Sequence, residues 1–381
     1  MSEATGYEAR TIHRLLGVRA AGGTGGEEDG AGFARAVFTK DQNDPLEADA
    51  IIVDEMSMVD MHLFLALLKA VVPGTRLIMA GDVDQLPSVG PGRVLQDLLS
   101  SGAFCSIVLE KIFRQAAESD IVMNAHRING GQEIRLDTDS RDFFFLERDS
   151  APVIYKHTVQ LLRDRLPGYV HCEAGDIQVL TPMRKGALGV EKLNEVLQWA
   201  LNPPGGGKRE LTHGDGVFRE GDKVMQTRNN YQLAWEIPGR YGIAVDSGTG
   251  VFNGDFGIIQ QIDSAAETVT VRFDEGRTVR YSFSETDELE LSYAVTVHKS
   301  QGSEYPAVIL PLLSGPPALM NRNLLYTAVT RARSCVVLIG SREAVRQMIG
   351  GTNQTIRYTG LRDRIHEIAS AGRQRAQDGA E

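Results

Sequence analysis

Two adjacent carboxylates end the first clearly apolar stretch of the sequence. The segment AIIVDEMSMVD (residues 50–60) runs from four apolar residues directly into Asp54 and Glu55. Such a pair can serve a Mg²⁺-nucleotide site, in which Asp54 holds the ion through its water shell and Glu55 orients and deprotonates the attacking water. The alternative is a solvated strand end, and this stretch alone does not choose between the two.

A polar cluster also follows the next apolar strand. The segment GDVDQLPSVGPG (residues 81–92) places a flexible turn and the neutral amide of Gln85 there, where the amide can hydrogen-bond a γ-phosphate or its water without adding charge. A Pro/Gly-rich surface loop is the alternative. It gives no reason for polar clusters at matching ends of two adjacent strands, which is where open α/β sheets bind ligands. The pattern therefore favours a nucleotide site at this edge.

Two arginines and one polar loop extend the set of candidates. Arg114 in IFRQ and Arg331 in AVTRAR would each usually form a surface salt bridge, but each could instead reach a γ-phosphate across a cleft between two α/β domains. The segment VTVHKSQGSEYP (residues 295–306) is dense in hydrogen-bonding groups for a plain loop. Lys, Ser and Thr contacts to phosphate position a nucleic-acid strand without reading its sequence.

The elements that must position these residues follow an α/β pattern. Between residues 50 and 128, the apolar strands AIIVD, RLIMAGD and CSIVLE alternate with helical patterns, which predicts a parallel sheet covered on both faces. A second α/β pattern starts near RDFFFLE, is interrupted from about residue 221 to 287 by several short strands, and returns at LSYAVTVH. The interruption predicts a small inserted barrel with a hairpin around Asp274-Glu275-Gly276. The glycine-rich residues 19–32 form either a hairpin tip or a loop, and composition favours the loop.

The composition limits the class of protein. With 381 residues, 42% of them hydrophobic, the chain can bury two or three cores. Its net charge of −10 argues against non-specific coating of nucleic acid, so any such contact must come from a local groove. Three dispersed cysteines indicate a reducing cytosol and no disulfide or zinc framework. No apolar run reaches the roughly 18 residues of a membrane span, and the N-terminus lacks the apolar core of a signal peptide. These features predict a soluble, cytoplasmic protein.

Eight ordered segments identify a resemblance. TIHRLLG, IIVDEMSMVD, GDVDQLPSVGPG, FRQ, LTPMRKG, VFNGDFG, TVHKSQGSEYP and LLYTAVTRAR occur in the order of the RecD-like DNA helicases of superfamily 1B, from about residue 3 to 340. The resemblance implies an α/β fold of two RecA-like P-loop NTPase domains, with ATP between them and DNA across them. The implied divisions are a first domain at residues 1–138 with a hairpin at about 17–46, a second domain at 139–212 and 288–350, an SH3-like barrel at 213–287, and a C-terminal helix and flexible tail at 351–381.

The resemblance also implies roles for individual residues. Asp54 and Glu55 resemble the Mg²⁺ and general-base carboxylates, Gln85 the phosphate sensor, and Arg114 and Arg331 the γ-phosphate arginines. Gly302 and Glu304 match the segment that contacts the nucleotide. The residues implied to line the DNA path are Thr11, His13, Thr181, Arg184, Thr296, His298 and Lys299. The implied ligands are ATP, Mg²⁺, single-stranded DNA and its junctions with duplex; nuclease or repair-complex subunits are possible partners, and no membrane is implied.

One part of the family pattern has no match. The phosphate loop G-x-x-x-x-G-K-[ST] is absent, and PPGGGKRE cannot replace it because Arg209 follows Lys208. We therefore expect Met1 to be an internal methionine of a longer protein, or the gene to be truncated. The expected function is an ATP-dependent helicase moving 5′→3′ on single-stranded DNA in repair or recombination. The alternative is a truncated, non-hydrolysing DNA-binding remnant or regulatory subunit.

Overall fold

The computed structural model describes residues 6–7, 9–19, 37–109, 118–136, 139–214, 216–240, 243–351 and 357–378. Contacts divide the chain into two compact units: Met1–Glu110 with Thr355–Glu381, and Lys111–Gln354. Within the described ranges, no helix is both long enough and apolar enough to cross a membrane.

The first unit begins with a short helix, α1 (Ile12–Leu16), and an antiparallel pair of two-residue strands, β1 (Val18–Arg19) and β2 (Val37–Phe38). The stretch between these strands, residues 20–36, carries the tip of the predicted hairpin and lies outside the described residues.

A parallel pair of strands forms the centre of this unit. The elements are β3 (Ala50–Val53), α2 (Met61–Ala70), β4 (Arg76–Met79) and α3 (Val94–Ser101). The two strands run in register from Ala50 opposite Arg76 to Val53 opposite Met79. Because successive side chains of a strand point to opposite faces, Ile51 and Val53 are buried together against the apolar faces of α2 and α3. The C-terminal helix (Leu361–Asp378) adds Leu361 and Ile365 to the edge of the same core.

The strand predicted for CSIVLE is wrong over its described part. Residues 105–109 form no strand, and the side chains of Ile107 and Leu109 are 83% and 91% exposed. A strand needs a neighbour for its backbone hydrogen bonds. Among the described residues of this unit, β3 and β4 pair with each other and no strand pairs with residues 105–109. The apolar composition was therefore an insufficient signal.

The second unit contains a five-stranded, all-parallel sheet. Its strands are β5 (Phe143–Glu147), β6 (Gln178–Thr181), β16 (Ala294–Thr296), β17 (Tyr305–Leu312) and β18 (Ala332–Gly340), in the order β16-β6-β17-β18-β5. Its helices are α4 (Asp120–Asn129), α5 (Ala151–Gln160), α6 (Leu166–Val170), α7 (Val190–Leu201), α8 (Arg322–Thr330) and α9 (Arg342–Gly350), with a π-helical turn (Leu161–Arg165) joining α5 to α6. The strands are short apolar runs buried on both faces, as a covered parallel sheet requires.

An antiparallel β domain is inserted between α7 and β16. A hairpin of β7 (Glu210–His213) and β8 (Gly216–Arg219) leads into a seven-stranded sheet in the order β11-β10-β14-β13-β12-β9-β15. Its strands are β9 (Lys223–Gln226), β10 (Asn230–Pro238), β11 (Ala244–Val251), β12 (Phe256–Asp263), β13 (Thr268–Phe273), β14 (Thr278–Ser282) and β15 (Leu289–Leu291). The α/β fold class with an inserted β domain in its second half is therefore confirmed.

A buried carboxylate joins the inserted domain to the parallel sheet. Asp222, which is fully buried, accepts hydrogen bonds from Gln198 Nε2 (2.6 Å), Asn202 Nδ2 (2.7 Å), the backbone N–H of Arg219 (2.7 Å) and Tyr293 Oη (3.0 Å). Gln198 lies on α7, Asn202 directly follows it, and Tyr293 directly precedes β16. The three donors on Gln198, Asn202 and Tyr293 lie before and after the inserted domain and tie both of its ends to Asp222.

Helix α4 belongs to the second unit, where it packs against α8. The boundary of the first domain at residue 138 stays a prediction. The Asp142 carboxylate, just before β5, accepts hydrogen bonds from Ser119 Oγ (2.5 Å) and the backbone N–H of Asp120 (3.0 Å). Arg322 at the start of α8 donates to the carbonyl oxygen of Asn129. These contacts hold both ends of α4 in the second unit.

Candidate functional site

The predicted carboxylate pair lies at the carboxyl end of β3. The backbone N–H of Glu55 donates to Asp54 Oδ1 (2.9 Å), and Glu55 has a left-handed backbone conformation with φ of 53°. A non-glycine residue in this region is strained by about 1–3 kcal/mol, and such strain concentrates at functional sites. Asp54 is exposed and Glu55 is half-buried, so both carboxylates are accessible at this edge.

The end of β4 is held directly beside this pair. The backbone N–H of Met56 donates to the carbonyl oxygen of Ala80 (2.9 Å). Gly81 is required by close approach, because a Cβ there would lie 2.8 Å from the backbone nitrogen of Met56. Four residues later, Gln85 Nε2 donates to Asp82 Oδ2 (3.3 Å). The structure therefore brings Asp54, Glu55 and the Gln85 turn to one edge of the β3–β4 pair.

An arginine outside the predicted set holds the Pro-Gly loop (residues 86–92), which follows Gln85. Arg357 Nη1 donates to the carbonyl oxygens of Gly90 (2.7 Å) and Gly92 (3.0 Å), and its Nη2 donates to that of Ser88 (2.6 Å). Burial among these carbonyls, and then the charge of Arg93, lower the pKa of Arg357 from its usual value. Nothing in the sequence around Arg357 indicated this role, since the partners lie more than 260 residues away.

Thr11 and His13 belong to α1 in the first unit. Thr11 Oγ1 caps the helix by accepting a hydrogen bond from the backbone N–H of Arg14 (3.3 Å). The ring of His13 lies against Phe38, with centroids 5.8 Å apart. Burial lowers the pKa of His13, against the opposing effect of Asp60, so the ring is neutral at pH 7.

Two of the predicted DNA-path motifs meet in the second unit. Thr181 at the end of β6 lies directly opposite Thr296 at the end of β16. Thr181 is buried and its Oγ1 donates to the carbonyl oxygen of Leu188 (2.6 Å), while Thr296 Oγ1 accepts from the backbone N–H of Lys299 (3.3 Å). Both hydroxyls therefore shape the loops that follow the strands.

The cations on those two loops converge on a residue that sequence analysis did not select. Arg184 Nη2 donates to Glu290 Oε1 (2.6 Å), and Lys299 Nζ donates to Glu290 Oε2 (3.0 Å). Glu290 lies in β15, the last strand of the inserted domain. His298 lies between Thr296 and Lys299 and is exposed at the surface. Partial burial of its ring lowers its pKa from the usual value.

The predicted nucleotide-contact residues of this unit also lie together. Arg331, only 3% exposed, donates from Nη1 to the carbonyl oxygen of Ser303 (3.2 Å), next to Gly302. Glu304 Oε2 accepts from Arg333 Nε (2.8 Å) in an exposed ion pair, another contact that sequence analysis missed. Arg114 lies outside the described residues.

Three family models match the chain in order. Residues 1–91 match an AAA domain, residues 193–273 the SH3 domain of ATP-dependent RecD-like DNA helicases, and residues 291–339 a UvrD-like helicase C-terminal domain. The SH3 match covers most of the inserted β domain.

Relatives match nearly the whole chain. The ATP-dependent RecD2 DNA helicase of Deinococcus radiodurans is 35% identical over 365 residues, which cover 96% of this chain and 44% of the relative. The RecBCD enzyme subunit RecD of Mycolicibacterium smegmatis is 29% identical over 371 residues, covering 95% of this chain and 60% of the relative. The chain thus spans about half the length of these relatives. Among solved structures, the Pif1 helicase from Bacteroides in complex with ADP-AlF3 and ssDNA is 19% identical, with a TM-score of 0.46 over 95% of this chain and 84% of that one. Because its family matches occur in order and its RecD2 and RecD relatives match nearly the whole chain, the chain belongs to the RecD-like helicases.

Proposed function

We propose that this chain forms the motor region of an ATP-dependent DNA helicase that moves 5′→3′ along single-stranded DNA and acts at its junctions with duplex, in repair or recombination. The observation that carries the proposal is the convergence of Arg184 and Lys299, from two distant motifs, at one edge of the parallel sheet. Paired cations at such an edge suit successive phosphates of a nucleic-acid strand. The resemblance supports the proposed 5′→3′ polarity, and the dispersed cysteines support a cytoplasmic location.

The first unit supplies the residues proposed for the nucleotide. Asp54 would hold Mg²⁺, Glu55 would take the proton of the attacking water, and Gln85 would contact the γ-phosphate. Among the described residues no three His, Cys, Asp or Glu side chains form a metal cage. Proteins often hold Mg²⁺ through one or two carboxylates together with substrate phosphates. When bound, Mg²⁺ supplies charge neutralisation at the phosphates.

The side chains at this edge are two carboxylates and one amide, which suit Mg²⁺ and a water molecule better than they suit negatively charged phosphates. The 381 residues contain no G-x-x-x-x-G-K-[ST] loop, whose backbone N–H groups and lysine cradle β- and γ-phosphates. Arg114 and Arg331 are the proposed γ-phosphate arginines, and Gly302 and Glu304 the proposed nucleoside contacts. The alternative candidate function is a single-stranded-DNA-binding chain that does not hydrolyse ATP, and the hydrolysis assay below distinguishes the two.

Fluorescence anisotropy with a labelled oligo-dT strand tests the DNA half of the proposal. The folded wild-type chain should bind, and Arg184→Ala and Lys299→Ala should each weaken binding by about fivefold at low salt, as loss of one phosphate contact does. Lys192→Ala is the matched control, because Lys192 is exposed on α7 and pairs with Glu195 (2.8 Å). A folded wild-type chain that does not bind would contradict the proposal.

DNA-stimulated ATP hydrolysis separates the two candidate functions. The intact helicase should hydrolyse ATP when single-stranded DNA is added, whereas the 381-residue chain alone should show no turnover because it lacks the phosphate loop. Micromolar ATP affinity with turnover in the 381-residue chain would show that other residues supply the cradle. If the intact protein binds DNA and never hydrolyses ATP, the second candidate function is the correct one.

A further inference from the structure

Glu290 accepts hydrogen bonds from both of the cationic side chains that we assign to the DNA path. Its two carboxylate oxygens accept from different side chains, Oε1 from Arg184 and Oε2 from Lys299. The arginine is more than half exposed, and the lysine and glutamate are each about 30% exposed, so the cluster is reachable from solvent. One further carboxylate, Glu191, approaches Arg184 at 3.5 Å in a more exposed pair.

The position of Glu290 makes this contact more than a local ion pair. Arg184 and Lys299 stand on loops of the parallel sheet, whereas Glu290 lies in β15, paired with Met225 of β9 inside the inserted domain. The inserted domain therefore supplies the anion, and the sheet supplies the cations. Hydrogen bonds from Gln198, Asn202 and Tyr293 to Asp222 tie this domain to the segments that flank it.

Glu290 is ionised at neutral pH. Burial alone would raise its pKa, but hydrogen bonds and charge from Lys299 and then Arg184 outweigh burial and lower it. The cluster of these three residues thus carries one net positive charge in place of two. Opposite unit charges about 4 Å apart attract each other even in water, so the carboxylate reduces the attraction of this edge for any other anion.

We infer that Glu290 is an internal competitor for DNA phosphate, which holds Arg184 and Lys299 when the strand is absent and retakes them when a phosphate leaves. The inference rests on the proposed DNA path. A motor that steps along a strand must release each phosphate, and a carboxylate that replaces it lowers the cost of leaving two cations without an anion. The opposite role, in which Glu290 merely orients the two cations for DNA, predicts the reverse effect of its removal.

Glu290→Gln in the intact protein distinguishes these roles, because glutamine keeps the shape and an acceptor oxygen but loses the charge. With a labelled oligo-dT strand and no nucleotide, we expect binding to strengthen by about threefold to tenfold at low salt. The salt dependence should steepen by about 0.7 in log Kd against log salt, the value for one further phosphate contact on a single strand. Glu195→Gln, which removes the same charge from the nearby helix α7 where Glu195 pairs with Lys192, should change affinity less than twofold.

A second variant identifies the partner through which the carboxylate acts. If Glu290 competes at Arg184, the gain from Glu290→Gln should fall by at least half in an Arg184→Ala background. Glu290→Asp, which shortens the reach of the carboxylate, should give a smaller gain in the same direction and serves if the glutamine variant folds poorly.

The outcomes separate this inference from the proposed function. Binding by the wild type with an unchanged or weakened Glu290→Gln variant overturns the competitor role and leaves the DNA path standing. Failure of both the folded wild type and the variant to bind overturns the DNA path and the inference together.

Discussion

Thr181 and Thr296 lie directly opposite each other across the parallel pair β6–β16, although more than a hundred residues and an entire β domain separate them in the sequence. Their hydroxyls bind the protein itself: Thr181 Oγ1 donates to Leu188 and Thr296 Oγ1 caps the turn that carries Lys299. The two threonines therefore shape the loops from which Arg184 and Lys299 project. This arrangement gives them a positioning role in the proposed DNA path.

Replacement of Thr181 tests that role. Thr181→Val keeps the shape but leaves the carbonyl oxygen of Leu188 without this donor in a buried place, so the free energy of unfolding should fall by about 1–2 kcal/mol. Binding of single-stranded DNA should weaken less than in Arg184→Ala. Urea denaturation and anisotropy measure the two effects. Thr181→Ser, which retains the hydroxyl, should recover most of both, and a serine variant as impaired as the valine variant would argue against the hydrogen bond.

The C-terminal segment should stabilise the Pro-Gly loop through Arg357. Arg357→Ala removes donors to three carbonyl oxygens, and hydrogen bonds to a charged group contribute about 1.5–3 kcal/mol each in favourable cases. We expect a loss of about 2 kcal/mol in unfolding free energy and faster amide exchange in residues 86–92. Arg357→Lys should recover little, because an ammonium lacks the planar fork of donors.

The control for this prediction is Arg362→Ala. Arg362 is exposed and pairs with its neighbour Asp363, a surface contact of small value. Equal exchange rates in residues 86–92 for Arg357→Ala and the wild type would show that the loop holds its shape without the clamp.

Features that depend on neighbouring residues could be predicted from the sequence, whereas features that depend on distant residues could not. The strands of the parallel sheet and the Asp274–Gly276 hairpin were predictable because a short apolar run or an alternating pattern with a turn is a local signal. CSIVLE carried the same signal and forms no strand over residues 105–109, since strand formation also depends on a neighbour. Glu290, Arg357 and Asp222 had no local signal at all. Each acts through partners that folding brings together, and their residue types alone indicate only ordinary surface charges.

The Asp222 junction should be among the most sensitive points of the second unit. Asp222→Ala leaves donors on Gln198, Asn202 and Tyr293 without their buried acceptor, and each such loss costs about 1–3 kcal/mol. We expect the free energy of unfolding to fall by at least about 3 kcal/mol, measured by urea denaturation. Tyr293→Phe removes a single donor and should cost about 1 kcal/mol. Equal losses of unfolding free energy in Asp222→Ala and Tyr293→Phe would contradict the role of Asp222 as an acceptor shared by several donors.

The ionisation of Lys223 should make the free energy of unfolding depend on pH in the alkaline range. Its Nζ donates to the carbonyl oxygen of Gly175 (2.7 Å) and to Gln178 Oε1 (2.9 Å), and burial lowers its pKa to about 8, against the opposing charges of Asp176 and Asp274. Between about pH 8 and the ordinary lysine value near 10.5, the unfolded chain keeps a proton that the folded chain has lost. Stability therefore rises with pH across this window.

Comparison with Lys223→Met isolates this contribution. Urea denaturation at pH 8 and at pH 10.5 should show a gain in the wild type that exceeds the gain in Lys223→Met by about 1–3 kcal/mol. Lys192→Met, at an exposed lysine, should behave as the wild type does. Parallel pH dependence in the wild type and Lys223→Met would remove Lys223 as the source.

Glu55 has a left-handed backbone conformation and lies at the edge shared with Gln85. In the intact protein, Glu55→Gln should leave ATP affinity nearly unchanged and reduce DNA-stimulated turnover by about 10²-fold or more, because the amide cannot accept the proton of the attacking water. Glu47→Gln, at an exposed position outside the site, should keep full turnover. Glu55→Gly should lose turnover in the same way while matching or exceeding the wild type in stability, since glycine adopts a φ of 53° without strain. Loss of turnover in both variants without loss of stability would assign the Glu55 carboxylate to chemistry, whereas near-normal turnover in Glu55→Gln would exclude Glu55 as the base.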